Sequence, residues 1–121
     1  MSKVYVGFRQ IDQSSEKSEV TVLERDEVYS LEERLDLKEH SITGFSWGSA
    51  GNGAAQLALA LLADATANDE YAKRHHHWFK LEVISSLPEK EWKLNIEEVL
   101  AWVSNHHPLH KHGTEDPTTA L

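Results

Sequence analysis

The chain has 121 residues, no cysteine and a formal charge of −8 with its histidines neutral. That length fits one domain with its own core, and the missing thiols exclude disulfide staples and thiolate metal sites and suit a reducing cytosol. The acidity argues against gripping a nucleic-acid backbone through a basic face, and suits either plain solubility or a basic protein partner.

Lys3 to Arg9 alternates, with Val4, Val6 and Phe8 on one face, and Glu19 to Leu23 sets Val20 and Val22 together. With the polar stretch Asp12–Ser18 between them, these runs predict an antiparallel hairpin. Such a hairpin is not stable alone in water, so its valine face should lie on the rest of the core. Val28–Leu31 predicts a weaker edge strand, and Arg34–Lys38 a single turn anchored by Leu35 and Leu37. His40–Gly44 then leads an extended Phe45-Ser46-Trp47 into a glycine-rich loop, Gly48 to Gly53.

The next stretch, Ala54–Ala65, is a helix interrupted by only two polar residues, Gln56 and Asp64. A helix apolar on nearly all sides must be wrapped by other elements, which makes it the centre of the domain. It is about half the length that spans a bilayer, and no basic-then-apolar leader precedes it, so a soluble cytoplasmic protein without a membrane partner is expected. Asn68 or Asp69 should cap a second helix from Glu70 to about Ser86, with Ala72, His76, Phe79, Val83 and Leu87 facing inward. Pro88 ends it. Glu91–Leu94 reads as an extended connector, and Asn95 with Glu98 as the capping box of a third helix carrying Ile96, Val99, Leu100 and Val103. Strands first and helices afterwards favour α+β: a hairpin or small sheet on three helices, compact over residues 1–104, with a flexible histidine-rich tail over 105–121.

Arg34-Leu35-Asp36-Leu37, His40-Ser41, Gly44-Phe45-Ser46-Trp47-Gly48 and Gly51-Asn52-Gly53-Ala54-Ala55-Gln56-Leu57-Ala58-Leu59-Ala60-Leu61-Leu62 together form a specific block. It resembles a family catalogued only as a small domain of unknown function, with members in bacterial, archaeal and phage or plasmid-borne genes. Lys3–Gly7, Phe79-Lys80, Val83-Ile84, Leu87-Pro88 and Trp92-Lys93-Leu94 extend the resemblance over about Lys3 to Val103. In that family an aromatic often stands at the place of Ser49, a serine at Asn52 and a proline at Ala54. The resemblance implies a domain extent and a mobile-element setting, and brings no activity.

Glycines before a helix let backbone N–H groups converge on an anion, and the helix start adds partial positive charge. Trp47, Gly48, Ser49, Gly51, Asn52, Gly53 and Gln56 are therefore the candidate ligand-binding residues, for a small anionic or nucleotide-like molecule whose ring would meet the indole. The alternative is a tight loop whose glycines serve only packing. Neither the phosphate-loop nor the dinucleotide spacing is present. His75-His76-His77 point about 100° apart on a helix, so they cannot share one metal, although one of them could join a partner from elsewhere. His106 to His112 has the composition for adventitious metal. No catalytic motif stands out, so no catalytic residue, resident metal or cofactor is assigned. Two functions remain: a non-catalytic ligand holder at the loop, or an acidic protein-interaction module using exposed strands and tryptophans such as Trp47, Trp92 or Trp102. A small enzyme is a further alternative.

Overall fold

The computed structural model describes residues 3–11, 16–42 and 44–106. In chain order these form β1 (Lys3–Ile11), β2 (Glu16–Glu24), β3 (Glu27–Ser30), α1 (Asn52–Thr66), α2 (Asp69–Glu82), a 3-10 turn (Ile84–Ser86), β4 (Glu91–Asn95) and α3 (Ile96–His106). The strands make one antiparallel sheet in the order β3-β2-β1-β4. The fold is α+β. The tip at 12–15, Thr43 and the tail from 107 lie outside the described residues.

α1 is the centre, as its composition requires. Every residue from Ala54 to Ala63 is buried, and α1 packs most extensively on α2. Tyr5, Val20 and Val22 from the sheet, Phe45 and Trp47 from the preceding segment, and Val99, Trp102 and Val103 from α3 belong to the same core. Helix ends follow local chemistry. The Asn68 side chain accepts from Tyr71 N–H at 2.9 Å and caps α2, while Asn95 and Glu98 exchange reciprocal hydrogen bonds of 2.9 Å at the start of α3.

Four expectations need correction. The helix-covered face of β1 is Tyr5 and Gly7, which pair with Val22 and Val20, while Phe8 is 45% exposed on the opposite face with Val4 and Val6. Alternation cannot say which face turns inward when both carry apolar residues. What decides is Trp92: a Cβ on Gly7 would lie 2.2 Å from its indole, so the ring packs directly over that glycine. Second, Glu91–Asn95 is no connector but the fourth strand, paired with β1 from Val4↔Asn95 to Phe8↔Glu91. Third, α2 stops at Glu82 and gives way to the 3-10 turn instead of running on to about Ser86. Fourth, β2 begins at Glu16, inside the expected tip, and Leu35 is 40% exposed, leaving Leu37 as that turn's core anchor.

Candidate functional site

The glycine-rich loop is bolted down on two sides. Gly48 N–H donates to the Ile84 carbonyl at 3.1 Å, and Trp47 Nε1 donates to the Glu89 carbonyl at 2.8 Å. From β1, Arg9 Nη2 donates to the Trp47 carbonyl at 3.1 Å, and its guanidinium carbon sits 4.8 Å from the centre of the indole. Trp47 is 1% exposed, with Trp92 edge-on at 5.5 Å. Its ring is a core element.

The glycines divide by role. Gly48 has φ +78°, where an L side chain is strained. A Cβ on Gly53 would fall 2.6 Å from Ser46 Cβ, so that glycine lets the start of α1 close on the preceding chain. Gly51 has neither reason. Its φ is −85° and a Cβ there would meet nothing within 4 Å. It precedes the first turn of α1 without any side-chain cap, and Ser49 and Asn52 beside it are exposed.

Gln56 is fully buried and its hydrogen-bonding capacity is used up inside the fold. Oε1 accepts from the backbone N–H of His40 at 2.7 Å and of Ser41 at 3.0 Å. Nε2 donates to the carbonyls of Glu33 at 2.8 Å and Lys38 at 3.0 Å. One amide thus ties the irregular 31–42 segment to the central helix. Arg34 fastens the same segment to the start of α2 through Asp69, at 2.9 and 3.1 Å, while also holding Asp36. Of the seven residues singled out in the sequence, then, Trp47 and Gln56 are committed internally, Gly48 and Gly53 shape the loop, and Ser49, Gly51 and Asn52 stay accessible.

At the other end of α1, Asp64 Oδ2 accepts from Tyr5 Oη at 2.7 Å and from Lys3 Nζ at 3.0 Å. Burial, then the Asp64 carboxylate, push the Tyr5 phenol far above its ordinary value. For Lys3 burial works against the charge, but Asp64 outweighs it and raises the ammonium. These contacts fasten β1 to the central helix.

The sheet face turned away from the helices has no cover among the described residues. Val28, Leu23 and Val4 lie in one cross-strand row. Val6 with Thr21 and Lys93 forms the next, and then Phe8 stands between Glu19 and Glu91. Val28 is 70% exposed and Leu23 39%. Alternation alone does not reveal this row, because both faces of β1 carry apolar residues; the one local signal is Gly7, a residue that gives an inward face no side chain but leaves room for one from a neighbour. Of the two places open to Trp47, Trp92 and Trp102, core or interface, all three take the core and are buried, whereas Trp78 on α2 is 47% exposed.

His76 Nε2 lies 2.9 Å from His40 Nε2, a juxtaposition that their separation in sequence concealed. Burial lowers both imidazoles below their ordinary value.

A family model described as "Family of unknown function (DUF6166)" matches residues 5–105, and the chain belongs to that family. No curated protein and no solved structure matches it. Among the described residues no helix is long and apolar enough to cross a membrane.

Proposed function

We propose, starting from a family that carries no activity with it, that this chain is a non-catalytic protein-interaction module. It binds through the outer face of its sheet to a protein whose docking patch is apolar and rimmed by lysine and arginine. The observation that carries this reading is the apolar row Val28–Leu23–Val4, continued by Val6 and Phe8, on a face that no described element covers. Phe8, Leu23 and Val28 are exposed and joined by the half-buried Val4 and Val6, and such an apolar patch on a small domain is characteristic of a contact surface. Glu19 and Glu91 flank Phe8, and the formal charge of −8 disfavours a second acidic copy and favours a basic partner. The cysteine-free sequence and the resemblance to phage- and plasmid-borne proteins support a cytosolic setting in which such a module blocks or bridges a host protein.

Native mass spectrometry of untagged protein from its own host tests this. A one-to-one complex with a basic protein is expected, weakened by salt and lost in a Leu23→Asp/Val28→Asp variant that stays folded. A homodimer, or a complex indifferent to those substitutions, overturns it. A phosphate-bearing small molecule that survives them and disappears with Gly51→Val would instead move the function to the loop, where the uncapped first turn of α1 supports that reading.

A further inference from the structure

The two imidazoles that meet between the irregular segment and α2 are arranged for more than packing. His76 Nδ1 lies 2.9 Å from the Ala72 carbonyl and 3.1 Å from that of Lys73. Carbonyls only accept, so Nδ1 carries the hydrogen and the neutral ring turns a bare Nε2 lone pair toward His40. A backbone carbonyl behind the ring is the orienting partner that metal-bound histidines commonly have. His40 is held from the other side, its backbone N–H bound by Gln56. Both rings are thus presented by anchored backbone.

Two imidazoles bound to one tetrahedral cation, with metal–nitrogen bonds of about 2.0–2.1 Å, place their nitrogens about 3.3 Å apart. His40 and His76 Nε2 stand at 2.9 Å, so a small opening of the pair admits the ion. We propose that His40 and His76 form a two-imidazole site for a first-row divalent cation, zinc or copper, that links segment 31–42 to α2. The hydrogen on His40 Nε2 moves to its Nδ1 as the metal binds, and both rings remain neutral. No third His, Cys, Asp or Glu joins them among the described residues. Water or a small anion therefore completes the coordination, which makes this an exchangeable site. Lys38 and Lys80 act on His40, and Lys80 also acts on His76. Their positive charge opposes a bare dication and favours one that brings an anionic ligand.

The test uses the full untagged chain with His107, His110 and His112 replaced by alanine, so that tail imidazoles do not compete. Zinc is added while side-chain 15N resonances and the melting temperature are followed. One equivalent should move the Nε2 signals of His40 and His76 and raise the melting temperature. Both effects should vanish in His40→Ala and in His76→Ala, and Lys80→Ala should tighten binding severalfold. Because His40 lies outside the helices, His40→Ala decides the matter even where His76→Ala impairs folding. Shifts confined to His75, His77 or His106, or a zinc response that survives His40→Ala, overturn the proposal, as does the lack of any response.

Discussion

A single side chain, Gln56, illustrates how the candidate site is tied to the stability of the fold. Its amide serves two backbone N–H groups and two backbone carbonyls, all in a segment with little regular structure. Truncation removes every partner at once, and each buried group left unsatisfied costs about 1–3 kcal/mol where water cannot reach it. Gln56→Ala should therefore lower the free energy of unfolding by about 3–5 kcal/mol in urea titrations, at the severe end for one substitution. A loss below about 1 kcal/mol would mean that water replaces the amide. Sequence alone marked Gln56 as an anomaly in an apolar helix, but not its task, because its partners lie 15 to 23 residues away. Trp47 shows the converse. Its position before a glycine loop suits a ligand-facing ring as well as a core one, and the contacts that bury it come from Arg9 on β1 and from Glu89 and Trp92, more than forty residues further on.

Elements were legible where their signals are local. The capping box at Asn95 and Glu98 is written in four consecutive residues, and both of its hydrogen bonds are present. Asn95→Ala should cost about 1 kcal/mol, read as a lowered melting temperature with the fold intact, and Asn95→Asp should recover most of it because an acidic cap also suits the helix start. Equal losses in both variants would show that position 95 matters to β4 pairing more than to the cap. β4 itself was obscured for a physical reason: five residues with only Trp92 and Leu94 apolar have no strand signature. They become a strand because β1 offers a free edge and Gly7 offers space for the indole. Which face of β1 points inward was hidden in the same way, since Val4, Val6 and Phe8 outscore Tyr5 and Gly7 until Trp92 is brought alongside.

Across the whole molecule, the layers are joined by groups that resist losing protons. Burial and then Asp64 raise Tyr5, and burial and then Glu24 raise Tyr29. Tyr71 is pushed up to about 12 by burial alone; its hydroxyl has no hydrogen-bond partner among the described residues. With Lys3 also raised, the folded chain binds more protons than the unfolded chain above about pH 10, where ordinary phenols and ammonium groups titrate. A raised folded value means that the stability these groups contribute is complete below the unfolded value and is lost as pH climbs through the folded one. Stability should accordingly be flat through neutral and mildly alkaline pH and fall steeply above about pH 10. Phenolate absorbance followed together with circular dichroism checks this. Part of the signal, from the more exposed Tyr29, should precede unfolding, and the remainder should appear only as the helices melt. Tyr5→Phe should make the alkaline fall shallower, because it removes the phenol that joins β1 to Asp64 at the end of the central helix. Three tyrosines ionising together near pH 10 with the helices intact would mean that sheet and helix are not held to each other by this cluster, and that core packing alone keeps the sheet in place with its outer face free.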